Sequence, residues 1–312
     1  MKAVLPAIAR PLLEPHLPSD MQVTWFATPA EANAGIADAA IAWVDMQPTQ
    51  LVAEAIRASG PGLRWVSTIY AGLDAFPLDL LRTRDVVVTN GTGINAVAVA
   101  EYAVMGVLAA AKRFDAVLRA GDRQNWLVDA PGKIELDGSR ALVIGYGTIG
   151  RLIGDRLRAF GVEVTGVTRS GRDGTLRPDE WRAELGRHDW VILAAPSTDA
   201  TKAMIGAAEL AAMKTTAWLL NVARGDMVDE ADLVAALQAG RIAGAFLDTT
   251  AQEPLPPGDP LWSARNCIVT MHLSGRSQTA MFGRAARLFL DNLAAFRADA
   301  PMINVVDLAA GY

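Results

Sequence analysis

The chain has 312 residues, with 29 basic and 34 acidic side chains, so its formal charge at pH 7 is −5. This balance argues against a general binder of nucleic acids or of anionic membranes. Hydrophobic residues make up 51% of the chain and charged residues 20%, which excludes disorder of the whole and indicates about two domains. Cys267 is the single cysteine, which excludes a disulfide framework and a cysteine-rich zinc site and fits a reducing compartment.

Two features bear on membranes and export. Prolines and charged residues interrupt the moderately apolar residues 1–18, which argues against an export signal. The longest uncharged apolar stretch of helical type, residues 102–111, is shorter than the roughly 20 residues that cross a bilayer. We therefore expect a soluble, cytoplasmic protein.

Short apolar runs alternate with helix-compatible segments, which predicts an α/β fold with two parallel sheets covered by helices. The first series of predicted strands is 21–26, 40–44, 63–69 and 86–89. A long helix is predicted over 96–113. The second series of predicted strands is 141–145, 163–168, 190–195, 218–222, 243–247 and 267–271. A last helix over 279–297 leads to an extended segment, 302–306, which is expected to return to the first domain.

A glycine-rich turn lies between a predicted buried strand and a predicted helix. Its residues are Gly145, Tyr146, Gly147, Thr148, Ile149 and Gly150, with the glycines at the G-x-G-x-x-G positions. In such a turn the first glycine allows a tight bend, the second lets a pyrophosphate approach the backbone, and the third lets helix and strand pack closely. The context favours a dinucleotide site over a glycine turn that binds no ligand.

The next strand ends at Arg169 and Ser170, where an NAD site presents an acidic residue to the ribose 2′-hydroxyl. Arg169, Ser170 and Arg172 favour the 2′-phosphate of NADP instead, because a guanidinium attracts the phosphate that a carboxylate would repel. An exposed loop arginine without a ligand is the alternative. We predict NADP as the preferred cofactor and NAD as the second choice.

Histidine is the side chain best suited to acid and base chemistry near neutral pH, and the chain has three. Ligands of open α/β sheets bind after the carboxyl ends of strands. His16 lies among prolines near the start of the chain, and His188 precedes a predicted strand. His272 follows one, so it alone is placed to act as an acid or base.

Two charged residues also follow predicted strands. Glu253 could lie beside His272, orient it and favour its protonated form. Arg224 could polarise a carbonyl or pair with a carboxylate. Each alone is more often a surface charge. Three complementary side chains after three successive strands predict an active site.

These motifs in combination resemble the D-isomer-specific 2-hydroxyacid dehydrogenase family, and the resemblance covers nearly the whole chain. It rests on the glycine turn 145–150, on residues 221–230 (N-V-A-R-G-D-M-V-D-E), on Asp248 through the E-P-L-P of 253–256, on His272, and on residues 95–101. It implies a Rossmann dinucleotide-binding domain over 96–284, inserted into a flavodoxin-like substrate domain formed by 1–95 and 285–312.

The resemblance also implies a catalytic trio of Arg224, Glu253 and His272. Arg224 would in addition bind the substrate, and Asp248 would contact the cofactor. The backbone N–H groups of the loop Tyr70, Ala71, Gly72, Leu73 and Asp74 would hold the substrate carboxylate. Arg169 is similar to its counterpart in NADP-dependent glyoxylate and hydroxypyruvate reductases.

The implied reaction is the reduction of a small 2-keto acid by NADPH to the D-2-hydroxy acid, with His272 as general acid. The family commonly forms dimers through the long helix and the segment after it, here residues 96–135. A homodimer is therefore expected, and no metal, nucleic acid or membrane partner is. The alternative is a nucleotide-sensing interaction protein similar to the corepressors that resemble this family. A methyltransferase would leave the trio without a role.

Two departures from the family's pattern affect the geometry of the pocket. Met271 stands where many relatives have proline, which predicts a less constrained backbone before His272. Thr249 and Thr250 replace a common Val-Phe pair. Candidate walls of the substrate pocket are Trp43, Tyr70, Leu73, Trp126 and Arg276.

Overall fold

The computed structural model describes residues 1–46, 48–73 and 75–309. The chain divides into two compact units, one formed by Met1–Asn95 with the residues from Gln278 onward, and the other by Ala96–Ser277. Each unit has its own parallel sheet. Within the described residues, no helix is both long enough and apolar enough to cross a membrane.

The first unit contains a five-stranded sheet. Its strands are β1 (Lys2–Pro6), β2 (Gln22–Phe26), β3 (Ile41–Ala42), β4 (Trp65–Ser67) and β5 (Val87–Thr89). The helices among them are α1 (Arg10–Leu13), α2 (Pro29–Ile36), α3 (Gln50–Arg57) and α4 (Leu78–Thr83). All strand pairs are parallel, in the order β2-β1-β3-β4-β5. This is the flavodoxin-like order, which reverses between β1 and β3, the place where ligands bind in such sheets.

β1 is not among the predicted strands, although it lies inside the sheet between β2 and β3. Ala3, Val4 and Leu5 are almost completely buried in it. Its five residues end at Pro6, and charged residues and further prolines follow, so the pattern is too short to stand out. The strand forms because both of its faces are covered, as is usual in parallel sheets.

The second unit contains a six-stranded sheet. Its strands are β6 (Arg140–Ile144), β7 (Glu163–Val167), β8 (Trp190–Leu193), β9 (Trp218–Asn221), β10 (Gly244–Leu247) and β11 (Cys267–Val269). Its helices are α5 (Ala96–Lys112), α6 (Phe114–Asp122), α7 (Thr148–Arg158), α8 (Ala207–Ala212), α9 (Glu230–Gln238) and α10 (Pro260–Ser263). All pairs are parallel, in the order β11-β10-β9-β8-β6-β7. The two predicted parallel sheets and the α/β fold class are confirmed.

The strands of the second unit are short, continuous apolar runs because helices cover both faces of the sheet. β8, β9 and β10 are buried along their whole length. Except at β10, the predicted strands extend one or two residues past the carboxyl ends of the observed ones, and loops begin there. Those loops carry the predicted catalytic side chains.

The last helix, α11 (Met281–Arg297), packs on the sheet of the first unit. Phe289 is buried and stacks on Trp65, with ring centroids 5.0 Å apart. The domain boundary predicted at 285 would cut this helix. The chain instead enters the first unit at Gln278, because the buried side of the whole helix belongs to that core.

Candidate active site

The glycine turn after β6 has three glycines in three different situations. Gly145 has φ +97, and a Cβ there would lie 2.3 Å from the backbone nitrogen of Ala195. A Cβ at Gly150 would lie 2.3 Å from the carbonyl oxygen of Gly145. A Cβ at Gly147 would meet nothing within 4 Å. The turn therefore requires glycine for its bend and its helix packing, and it leaves open space where a pyrophosphate would approach.

Tyr146 anchors this turn to the sheet. Its N–H donates to the carbonyl of Val167 at 2.8 Å. Its side chain occupies the space beside Gly154 and Gly166, where a Cβ would lie 2.5 Å from its hydroxyl oxygen and 2.4 Å from its ring, respectively. α7 begins at Thr148 and has no side-chain cap. Its first N–H groups, which include that of Ile149, can therefore bind an anion.

Arg169, Ser170 and Arg172 lie on an exposed loop after β7. The loop turns through Gly171, whose φ is +63 and whose N–H donates to the hydroxyl of Thr168 at 3.1 Å. Asp173 of the same loop pairs with Arg151 in the first turn of α7 at 3.5 Å. This ion pair brings the loop to the helix that follows the glycine turn.

His272 and Glu253 are in direct contact. Nδ1 of His272 lies 2.7 Å from Oε2 of Glu253. The other carboxylate oxygen of Glu253 accepts the N–H of Thr250 at 3.1 Å. Within the described residues, Nε2 of His272 has no hydrogen-bond partner. The carboxylate therefore fixes the ring with one nitrogen engaged and the other available.

The charge state of Glu253 follows from its surroundings. Partial burial acts to raise its pKa, but the hydrogen bond and charge of His272, the N–H of Thr250 and the charge of Arg224 outweigh this. The net result is a pKa of Glu253 below the ordinary value. Glu253 is thus a stable anion beside the imidazole, and Arg224 lies close enough to contribute to its potential.

Arg224 follows β9 in a backbone turn that Asn221 organises. The amide nitrogen of Asn221 donates to the carbonyl of Arg224 at 2.8 Å, and its amide oxygen accepts the N–H of Ala223 at 3.0 Å. Among the residues that the structure describes, the Arg224 guanidinium donates one hydrogen bond, to the carbonyl of Ala223 at 2.8 Å, and the residue is half-buried. Its remaining N–H groups are available to a carbonyl or a carboxylate.

Asp248, at the end of β10, holds the turn that carries His272. Its carboxylate is buried and accepts the Thr270 hydroxyl at 2.8 Å, the Leu273 N–H at 2.9 Å and the Ser274 N–H at 3.1 Å. Its carbonyl accepts the N–H of His272 at 2.6 Å. No pattern in the sequence indicated this function of Asp248. Three of the roughly four acceptor positions of the carboxylate are used, so one is left for the predicted cofactor contact.

The backbone before His272 is more constrained than predicted. Met271 has φ +58 and His272 has φ +55, a left-handed conformation that side chains rarely adopt and that proline cannot adopt. The hydrogen bonds to Asp248 hold this conformation. Methionine in place of proline therefore accompanies a different backbone, not a looser one.

The predicted carboxylate loop lies in the first unit, after β4. The N–H groups of Ala71 and Gly72 have no acceptor among the described residues. The carbonyl of Ala71 accepts the side-chain amide of Asn90 at 2.9 Å. Asp74, also predicted in this loop, lies outside the described residues.

Three other residues considered from the sequence, Trp43, Trp126 and His188, differ in their exposure. Trp43 is 1% exposed and belongs to the core of the first unit, so the prediction that it lines a pocket is wrong. Trp126 is 91% exposed. His188 is buried, its Nδ1 lies 2.9 Å from the carbonyl of Glu184, and burial lowers its pKa. It is a structural histidine.

The chain is similar to proteins of known family. The chain matches the model for the D-isomer specific 2-hydroxyacid dehydrogenase NAD binding domain over residues 104–274. It is 34% identical to a glycerate dehydrogenase of Methylorubrum extorquens over 313 residues, which cover 97% of this chain and 96% of the relative. It is 31% identical to a glyoxylate reductase of Korarchaeum cryptofilum over 271 residues, covering 82% and 79% of the two chains.

A solved structure shows the same fold over nearly the whole chain. It is the NADPH-dependent glyoxylate/hydroxypyruvate reductase of Sinorhizobium meliloti in complex with citrate, with a TM-score of 0.82, 26% identity and 98% of each chain covered. The family acts on small 2-keto acids. The chain belongs to the D-isomer specific 2-hydroxyacid dehydrogenase family and is an NAD(P)-dependent enzyme of that family.

Proposed function

We propose that this enzyme reduces small 2-keto acids of the glyoxylate and hydroxypyruvate type with NADPH, giving the D-2-hydroxy acid. The observation that carries the proposal is the 2.7 Å contact between Nδ1 of His272 and Glu253, since it leaves Nε2 for a substrate oxygen. The names of the relatives, glyoxylate reductase and glycerate dehydrogenase, support the substrate class. All three members of the trio are present, which argues against the corepressor-like alternative.

Each member of the trio has one task in this reaction. When bound, the reduced cofactor supplies the hydride that adds to the carbonyl carbon. His272, protonated and paired with Glu253, donates its Nε2 proton to the carbonyl oxygen and becomes neutral. Glu253 keeps the ring in place and balances its positive charge before the transfer. Arg224 stabilises the negative charge that develops on that oxygen and binds the substrate.

The glycine turn and the loop after β7 are the proposed cofactor site. Gly145, Gly147 and Gly150 shape the space for the pyrophosphate, and the uncapped first turn of α7 adds N–H donors. The guanidinium of Arg169, with Ser170 and Arg172, would hold the 2′-phosphate. A charge-assisted contact of about 1.5–3 kcal/mol corresponds to a ten- to hundredfold preference for NADPH over NADH.

A homodimer is proposed through residues 96–135. Trp126 is 91% exposed and Val128 is 99% exposed in the segment after α6, and Phe114 and Leu118 of α6 are about half exposed. Large apolar side chains clustered on one segment are typical of a covered interface. Sedimentation of the wild type should give a dimer, and Trp126→Asp should give a monomer. A cytoplasmic location stays a prediction.

The test is a panel of 2-keto acids assayed with NADPH and with NADH. We expect turnover of glyoxylate and hydroxypyruvate and a higher kcat/KM with NADPH. Activity confined to branched or aromatic 2-keto acids would refute the substrate class. A preference for NADH would refute the cofactor assignment and leave the reaction type intact.

A further inference from the structure

The carboxylate of Asp45 follows β3 at the place where the order of the first sheet reverses, and donors surround it. One oxygen accepts the indole N–H of Trp43 at 2.7 Å and the backbone N–H of Ile69 at 2.7 Å. The other oxygen accepts the hydroxyl of Thr68 at 2.6 Å. Trp43 is buried against Phe289 of α11, with ring centroids 5.6 Å apart. A fixed ring on one side and the chain after β4 on the other therefore hold the carboxylate.

These bonds occupy the first N–H groups after β4. Ile69 donates to Asp45, and the N–H of Tyr70 donates to the hydroxyl oxygen of Thr68 at 3.0 Å. The next N–H groups, of Ala71 and Gly72, have no acceptor in the part of the chain that the structure describes. The internal hydrogen bonds therefore stop where the predicted carboxylate loop begins.

The carbonyl groups of the same loop are held from the β5 side. The carbonyl of Tyr70 accepts the N–H of Gly91 at 2.9 Å, and that of Ala71 accepts the side chain of Asn90 at 2.9 Å. A Cβ at Gly91 would lie 2.0 Å from the carbonyl oxygen of Ile69, so only glycine allows this approach. With the carbonyls fixed behind the loop, the orientation of its peptide groups is determined.

Burial at this position disfavours the ionised form of Asp45. Burial raises its pKa to about 6, although the hydrogen bonds from Thr68, Ile69 and Trp43 act to lower it. An acid whose pKa is raised on folding makes the protein less stable as the pH rises from the unfolded value of 3.8 through about 6. A buried acid with a raised pKa whose hydrogen bonds order a loop at such a position is a candidate for a functional group.

We propose that Asp45 is a positioning residue for substrate binding, which through Thr68 and Ile69 orients residues 68–72 so that the N–H groups of Ala71 and Gly72 receive the substrate carboxylate. This inference rests on the proposed function, because it takes a 2-keto acid as the ligand. Asp45 acts through the backbone and does not touch the substrate. Its hydrogen bonds matter, and its negative charge does not.

The test compares two substitutions that separate the hydrogen bonds from the charge. Asp45→Ala removes both acceptors, and the KM for hydroxypyruvate should rise about tenfold or more, while kcat and the Kd of NADPH stay within about threefold. Asp45→Asn keeps an oxygen for Trp43 and Ile69 and offers an N–H to the Thr68 hydroxyl oxygen. Its KM should return to within about threefold of the wild type. Asp38→Asn, at an exposed ion pair with Lys2, is the matched control and should change nothing.

Three outcomes overturn the inference. One is an unchanged KM in Asp45→Ala, and another is an equal loss of substrate affinity, kcat and NADPH affinity. The third is an Asp45→Asn variant as defective as Asp45→Ala, which would mean that the charge is what matters. If Asp45→Ala does not fold, Thr68 is replaced instead. Thr68→Val should raise the KM, and Thr68→Ser, which keeps the hydroxyl, should have the KM of the wild type. A wild-type KM in Thr68→Val overturns the inference.

Failure of the proposed function is a separate result. It would appear as a wild type that turns over none of the 2-keto acids. In that case the same variants are compared by calorimetric titration with oxalate as the carboxylate probe. Weaker oxalate binding in Asp45→Ala than in Asp45→Asn supports the positioning role, and equal binding in both overturns it.

Discussion

Replacing Glu253 with glutamine removes a negative charge and keeps an oxygen that can accept the hydrogen of His272 Nδ1. The wild-type contact is a charge-assisted hydrogen bond of 2.7 Å, a kind that contributes about 1.5–3 kcal/mol when buried. The two side chains are 41% and 38% exposed, so screening by solvent reduces the contribution of the charge to about 1 kcal/mol. At about 1.4 kcal/mol per tenfold change, this loss corresponds to roughly a fivefold lower kcat/KM of the variant at alkaline pH.

The assay is kcat/KM for 2-keto acid reduction as a function of pH in the wild type and in Glu253→Gln. The alkaline decline of the rate should begin at lower pH in the variant, and the two rates should converge in acid. Glu163→Gln is the control. Glu163 is exposed and starts β7, at the opposite end of the strand from the site, and its carboxylate pairs with Arg140. Identical profiles for wild type and Glu253→Gln, or an equal loss of rate at every pH, would refute the electrostatic coupling.

Three further predictions concern single residues. Arg224→Lys should raise KM and lower kcat by about tenfold or more, because one ammonium cannot replace the guanidinium fork; unchanged steady-state constants would place Arg224 outside the site. Arg169→Asp should lower kcat/KM with NADPH at least about tenfold more than with NADH, and an equal loss with both cofactors would exclude a 2′-phosphate contact. Burial raises the pKa of Cys267 to about 12, so at pH 8 this thiol should react with Ellman's reagent on the order of a thousandfold more slowly in the native than in the unfolded protein, and equal rates would contradict that burial.

The α/β fold and the candidate trio could be predicted because strand ends are visible in the sequence. Each of Arg224, Glu253 and His272 follows an apolar run, and parallel strands bring such positions to one edge of a sheet. The glycine turn is equally predictable, since the G-x-G-x-x-G pattern lies within one continuous strand, turn and helix. These features can therefore be predicted from the hydrophobic pattern and from the positions of residues relative to the predicted strands.

Other features depend on contacts distant in sequence. The local sequence around a tryptophan does not show whether its side chain contacts a ligand or a helix. Trp43, just after β3, contacts Phe289 of α11. The functions of Asp45 and Asp248 depend on hydrogen bonds from hydroxyl and backbone N–H groups 22 to 26 residues away, and such bonds leave no recognisable spacing in the sequence. The short strand β1 is not predictable from its sequence for a similar reason, because its neighbours in the sheet and not its own pattern define it.

The most direct test of the account is the product formed from hydroxypyruvate and NADPH by the wild type and by His272→Ala, resolved by chiral chromatography. The wild type should form D-glycerate. His272→Ala should form it about 10²- to 10⁴-fold more slowly, with an unchanged Kd for NADPH, because the imidazole acts on the substrate oxygen and not on the cofactor. A folded His272→Ala variant with the kcat of the wild type would contradict the assignment of His272 as the general acid.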